Sequence, residues 1–258
     1  MVVEAMRRAF ADRARFLGDP DAVPEMPLAR LLSKEYAASL RGTIDEAKAA
    51  TSSPEEIGRR AESSETTHFS VVDAARNAVS LTYTLEDLYG VKESVPGAGF
   101  LLNNEMGDFN AGPGLTDGTG LVGSAPNLAA PGKRMLSSMS PTILAKDGKL
   151  FLVVGSPGGR SIPNSVLETI LDVVDFGMNV QEAVDAPRFH HQWLPDGILY
   201  ELRGLSPDTI LALEAKGHHM KATAGIGSVE AILVDPGAGF LEGGSDYRAP
   251  DGAAVAEP

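Results

Sequence analysis

At residue 66 the chain changes character, and that seam constrains the fold more than any other feature. From Glu46 to Glu65 there is little apolar material and no clear period, which predicts an exposed, mobile loop. The stretch "ESSETTHFSVVD" (62–73) runs from polar loop directly into two threonines and an alternating strand pattern. His68 to Asp73 and Ala78 to Glu86 are rich in Val, Thr and Tyr, and "DAARN" between them predicts a hairpin turn. A second hairpin is predicted in "PTILAKDGKLFLVVGSP", turning at Asp147-Gly148.

Helical periodicity covers 2–18, where Val3, Met6, Phe10 and Phe16 share a face and Gly18-Asp19-Pro20 is the stop. Residues 27–45 predict a second helix with Leu28, Leu31, Leu32, Tyr36 and Leu40 as its stripe. Pro163 to Met178, Asn179 to Ala186 and Ser206 to Lys216 predict three more, the first opened by Pro and the last stopped by Gly217. "SVEAILVD" (228–235) predicts a late strand, and the last twenty residues a frayed tail. Residues 103–134 hold seven glycines and three prolines and predict an irregular excursion. Hairpins followed by helix pairs point to an α+β chain with antiparallel sheet covered by helices. A helix at residue 2 without an evident beginning suggests a start inside a larger protein.

With 258 residues the chain can bury a sizeable core. A formal charge of −13 argues against a nucleic-acid partner, since phosphate binding needs a surplus of Lys and Arg. Cysteine is absent, so disulfides, thiolate metal sites and cysteine nucleophiles are excluded. Glu4, Arg7, Arg8, Asp12 and Arg13 interrupt the N-terminal apolar residues, so this segment is no secretory signal.

Three motifs fail on context. "GTGLVG" (118–123) matches G-x-G-x-x-G, but Pro126 and Pro131 forbid the helix a dinucleotide fingerprint requires. "GSPGG" (155–159) has Val154 where a serine-hydrolase elbow needs glycine. His190-His191 and His218-His219 are adjacent pairs whose side chains diverge, which suits core or surface positions better than a metal. Arg188, Phe189, Trp193 and Pro195 around the first pair predict a packed corner.

Thr66-Thr67 admits two readings. Strand propensity alone would explain a threonine pair. The chemical reading is autoproteolysis: a threonine hydroxyl attacks the carbonyl before it, the amide becomes an ester, and water cleaves it. The new N-terminal residue then carries a nucleophilic hydroxyl beside a free α-amine. That amine has a reference pKa of about 8, while a lysine amine at about 10.4 stays protonated at neutral pH. A hydroxyl needs a base to take its proton, and this residue supplies its own.

"TTHFSVVD", "AVSLTYTLED", "GFLLNNEMGDFN", "PGKRMLSSMSPTI", "VGSPGG" and "DAPRFHHQWLPD" together resemble the γ-glutamyltransferase (glutathione hydrolase) family of N-terminal-nucleophile hydrolases, from about Ala5 to Asp246. The resemblance implies a four-layer αββα sandwich, incomplete here because the upstream part of the large subunit is absent. Residues 1–65 would be the tail of that large subunit and 66–258 the small catalytic subunit. Sheet edges and apolar surface should then lie exposed.

By the same resemblance, Thr66 is the nucleophile freed when the Glu65–Thr66 bond is cut, and Thr84 supports it. Glu86, Glu105 and Asp108 match positions that hold the substrate's α-ammonium, Ser137 and Ser138 the pair on its α-carboxylate, and Gly158 and Gly159 the oxyanion hole. The implied substrates are glutathione or other γ-glutamyl compounds, with water, amino acids or peptides as acceptors. No metal or organic cofactor is implied. The partner is the large subunit of the same precursor, and relatives are commonly exported to the periplasm or beyond the cell.

Two departures stand out. The family's upstream arginine, which clamps the α-carboxylate, has no counterpart in this sequence, leaving Ser137, Ser138 and Lys133, Arg134 or Arg160. Thr119 stands where some relatives carry an aromatic gate. Alternatives are a non-catalytic or partner-dependent fragment, and an acylase of glutaryl β-lactams; the acidic trio would repel a substrate lacking the ammonium.

Overall fold

The computed structural model describes residues 1–53, 65–110, 112–115, 122–235 and 237–256. Three helices come first: α1 (Val2–Phe16), α2 (Leu28–Leu31) and α3 (Lys34–Gly42). Strands β1 (Glu65–Val72), β2 (Ala78–Glu86), β3 (Thr142–Lys146) and β4 (Lys149–Gly155) follow, then helices α4 (Ile162–Val174) and α5 (Val180–Asp185). The remainder is β5 (Phe189–His190), β6 (Ile198–Glu201), α6 (Pro207–Ala215), β7 (Met220–Thr223), β8 (Glu230–Val234) and β9 (Leu241–Ser245). These elements form two compact units. One comprises Met1–Glu62, Glu105–Ser137 and Phe189–Thr223; the other comprises Ser63–Asn104, Ser138–Arg188 and Ala224–Pro258.

The second unit is layered. β3-β4-β8-β9 form an antiparallel sheet, and the β1–β2 hairpin packs on one face of it. Alternation along β4 assigns the faces. Leu152 and Val154 join Ile162, Val166 and Val173 of α4 and Val180, Ala183 and Val184 of α5 in the main core, with Ala231 and Leu233 of β8. Val153 points the other way and is also fully buried. Both predicted hairpins form. The second turns with Asp147 and Gly148 at φ 53° and 74°, the left-handed pair that a two-residue turn demands.

The β1–β2 hairpin turns a polar face inward. Thr66, His68 and Ser70 stand opposite Thr84, Thr82 and Ser80, while Phe69, Val71, Val79, Leu81 and Tyr83 on the other face are exposed. Ser80 ties the hairpin to the sheet, donating its hydroxyl to the Val154 carbonyl (3.0 Å) and accepting the Thr142 N–H (3.1 Å).

In the first unit, Phe10 and Ala14 of α1 bury against Trp193 and Leu194, and His190 meets the Phe10 ring edge-on at 5.7 Å. Of the packed corner expected around the first histidine pair, Trp193 and both histidines are buried, while Pro195 is exposed. Glu4, Arg7, Ser52 and Asp196 form a largely buried polar cluster. Ala50 and Ser52 donate their N–H groups to Glu4 (3.2 Å) and Asp196 (2.8 Å), which tethers the chain shortly before residues 54–64. Burial pushes the Glu4 carboxyl up, but Arg8 and Arg7 outweigh it, and the net shift is downward.

Several expectations need correction. The helix expected over 27–45 is two helices, because Ser33 accepts the Tyr36 N–H (3.1 Å) and starts α3 afresh; Leu28 and Leu32 of its stripe are exposed. The first strand begins at Glu65, not His68. The tail is not uniformly frayed, since "LEGGS" forms β9. Its glycines suit a close approach: a Cβ on Gly244 would lie 3.0 Å from the Val180 carbonyl oxygen of α5. The sheets are not all antiparallel either, since β6 pairs with β7 in parallel. The loop of 46–65 falls largely on 54–64, outside the described residues.

An ion cluster seals the second unit. Arg188 and Arg248 donate to the fully buried Asp246 carboxylate at 2.7 and 2.8 Å, and the Val229 N–H adds a third bond at 2.8 Å. Burial raises the Asp246 carboxyl, but these groups hold it below its ordinary value. Asp246→Ala, which leaves Arg188 buried and uncompensated, is expected to cost about 3–5 kcal/mol, read as a lower urea midpoint with an unchanged slope.

Candidate active site

The seam at residue 66 is a β-bulge. Thr66 pairs with Thr84 but Glu65 pairs with Glu86, so Leu85 is the extra residue on β2. Glu86 takes a left-handed φ of 73° and donates its N–H to the Thr84 hydroxyl oxygen at 2.8 Å. Bulges of this kind re-aim side chains at the ends of ladders. Opposed residues of an antiparallel pair have Cβ atoms roughly 4.5–5.5 Å apart, so the Thr66 and Thr84 hydroxyls are within reach of each other. Asn104, the chain neighbour of Glu105, donates to Asp87, the chain neighbour of Glu86, at 2.8 Å.

Two residues along from Thr66, His68 turns into the layer between hairpin and sheet. One ring nitrogen lies 2.8 Å from the Thr82 hydroxyl and the other 3.1 Å from that of Ser70. The ring covers the backbone of Gly155, the last residue of β4; a Cβ there would come within 2.2 Å of it. Burial pushes the imidazole down to about 4, so it is neutral at pH 7.

β4 then passes through Ser156-Pro157 into the glycine pair. Gly158 and Gly159 adopt φ of 131° and 55°, conformations that favour residues without a side chain. Ser161 donates both N–H (3.1 Å) and hydroxyl (2.8 Å) to the Gly158 carbonyl, closing the turn that leads into α4. Thr66, Pro157, Ser228 and Glu230 line one cleft of about 540 Å³. Burial raises the Glu230 carboxyl, and a hydrogen bond from Ser245 only partly offsets that.

Of the predicted residues, Thr66, Thr84, Glu86, Ser138, Gly158 and Gly159 belong to this unit, and Glu105, Asp108 and Ser137 to the other. Glu105 and Asp108 share a 3₁₀ turn, and Glu105 is buried. Buried Asn127 donates to the Asp108 carbonyl (2.8 Å) and accepts the Leu136 N–H (2.9 Å), joining that turn to the segment carrying Ser137. Arg134 is committed elsewhere: its Nη2 donates to Asp19 at 2.6 Å and also to Asp21, and its guanidinium holds the Asp19 carboxyl well below the usual range. Thr119 and most of "GTGLVG" lie outside the described residues. Among the described residues no helix is long and apolar enough to cross a membrane, and no acid–histidine cluster of metal-binding size occurs.

The family model described as "Gamma-glutamyltranspeptidase" matches residues 1–256. This chain belongs to the γ-glutamyltranspeptidase family. The Escherichia coli (strain K12) glutathione hydrolase proenzyme is 49% identical over 253 residues, which are 97% of this chain and 43% of the relative. The chain therefore spans less than half the length of that relative. The solved T380A mutant of Helicobacter pylori γ-glutamyltranspeptidase is 49% identical with a TM-score of 0.67, covering 70% of this chain and 99% of its own. The cephalosporin acylase from Bacillus halodurans is 27% identical with a TM-score of 0.78, over 95% of this chain and 42% of its own.

Sequence reasoning passed over His68, Asn127 and Glu230. His68 had a signal, since alternation sets it on the Thr66 face; the other two had none. Because folded His68 resists protonation and unfolded histidine does not, the unfolded state binds more protons between pH 6.5 and about 4. Stability is complete above that window and falls with pH through it. His68→Gln is expected to flatten this part of the dependence, read from urea midpoints at successive pH values.

Proposed function

We propose that the chain is the catalytic part of an autoprocessing γ-glutamyl transferase/hydrolase, with Thr66 as nucleophile. The observation that carries this is that Thr66, paired with Thr84 at a bulged strand start, lines the same cleft as Pro157 of the glycine turn. Identity to a protein named as a glutathione hydrolase proenzyme supports it. So does the Helicobacter pylori chain, matched almost whole by 70% of this one, since residues 66–258 make up about three quarters of the sequence. Residues 1–65 are then the tail of the large subunit and 66–258 the small subunit of an αββα sandwich. The exposed apolar face of the hairpin is where the large subunit's remaining strands pack. Export to the periplasm or beyond goes with this reading.

In maturation the Thr66 hydroxyl attacks the Glu65 carbonyl carbon, the C–N bond breaks, and water opens the resulting ester. In turnover the freed α-amine accepts the Thr66 hydroxyl proton as Oγ attacks the γ-glutamyl carbonyl. The oxyanion is met by the Gly158 and Gly159 N–H groups; losing one such donor costs about 3–4 kcal/mol in the barrier. The C–N bond then breaks, the leaving amine takes the proton, and water or an amino-acid or peptide amine resolves the acyl-enzyme. Thr84 orients the Thr66 hydroxyl, Glu86, Glu105 and Asp108 accept from the α-ammonium, and Ser137 and Ser138 donate to the α-carboxylate. The acidic trio favours a γ-glutamyl donor over the glutaryl side chain of an acylase substrate.

The test is to express the chain, weigh it intact and assay a chromogenic γ-glutamyl anilide. Pieces of 65 and 193 residues and turnover are expected, and both should vanish in Thr66→Ala. Cleavage without turnover, restored by a supplied upstream segment, identifies a partner-dependent catalytic half. Cleavage that persists in Thr66→Ala removes Thr66 from its role.

A further inference from the structure

The serine of "GSPGG" is no nucleophile, because its side chain is fully buried. A buried hydroxyl must nonetheless be hydrogen-bonded, and this one is bonded twice. Ser228 donates its N–H to Ser156 Oγ at 3.1 Å. An N–H can only donate, so Ser156 accepts there and spends its own proton on the Pro157 carbonyl oxygen, at 2.6 Å.

That carbonyl belongs to the same peptide unit as the Gly158 N–H. A trans peptide is planar, with C=O and N–H pointing in opposite directions, so holding the oxygen aims the N–H. The plane is set by ψ of Pro157 and φ of Gly158. Proline's ring restrains only its own φ, and glycine restrains almost nothing, so an external hold is needed. Hydrogen bonding to the carbonyl also polarises the N–H at the far end of the amide.

Bare backbone closes the bracket from the other side. Gly227 has φ 66°, and a Cβ on it would lie 2.7 Å from Ser156 Oγ and 3.1 Å from the Pro157 oxygen. A Cβ on Gly158 would in turn lie 3.0 Å from the Gly227 Cα. We propose that Ser156, backed by Gly227-Ser228, is the positioning residue that aims the Gly158 amide at the developing oxyanion. This rests on the acyl-enzyme reading above, in which Gly158 is an oxyanion donor.

The test compares the parent with Ser156→Ala and Gly227→Ala, each as the full chain with the upstream segment supplied if the parent needs it. Subunit masses and thermal midpoints are recorded alongside kcat and KM for the γ-glutamyl anilide. In variants that mature, kcat is expected to fall about 10- to 100-fold, short of the 10²–10³ for outright loss of a donor, with KM within about twofold. A general packing role would not divide the two constants in this way. A parental kcat in either variant overturns the proposal, and so does a loss carried by KM alone. Failure of both variants to fold would make Ser156 a packing residue and overturn it equally. A parent that neither cleaves nor turns over substrate sinks the acyl-enzyme reading itself; an active parent with equally active variants sinks only this inference.

Discussion

The packing of the β1–β2 hairpin on the sheet depends on one steric fact: residue 155 has no side chain, and the His68 ring occupies the space a side chain would need. That contact joins β1, which carries Thr66, to β4, which leads into the glycine turn. Because the ring is neutral and bonded at both nitrogens to hydroxyls of its own hairpin, it can be buried without an unpaired polar atom. Any side chain at 155 would force β1 and β4 apart and shift Thr66 relative to the turn.

The hairpin's inverted character follows from the same contact. A two-stranded ribbon with one polar and one apolar face ordinarily buries the apolar one. Here the hydroxyl and imidazole ladder is inside, and Phe69, Val71, Leu81 and Tyr83 face outward. The inward face is viable because its groups bond to one another and to the sheet through Ser80. The outward face is a contiguous apolar strip of a kind that marks an interaction surface.

Two further polar devices hold backbone in place, one within each unit. Asp246 gathers Arg188, Arg248 and the Val229 N–H at the end of the loop that carries Gly227 and Ser228, so a buried ion cluster steadies the backing of the glycine turn. Asn127 does comparable work in the other unit, bonding the turn of Glu105 and Asp108 to the segment of Ser137. In both cases a buried polar side chain fixes the backbone of neighbouring segments.

Local rules made much of this legible. Alternation with a turn of five residues identified β1 and β2, Asp147-Gly148 gave the second hairpin, and proline and glycine punctuation located α4 and α6. Long motifs marked the family and the residue types of its site. Those signals are carried by neighbours in the chain, so the sequence alone determines them. Tertiary contacts decided the rest: the glycine-rich β9 seated under α5, the parallel pairing of β6 with β7, and the bulge that turns Glu86 left-handed. They also decided which face of the hairpin is buried, because period-two alternation separates two faces but cannot say which one meets the sheet. Only the empty position at Gly155, supplied by a strand about ninety residues further along, makes the polar face the one that fits.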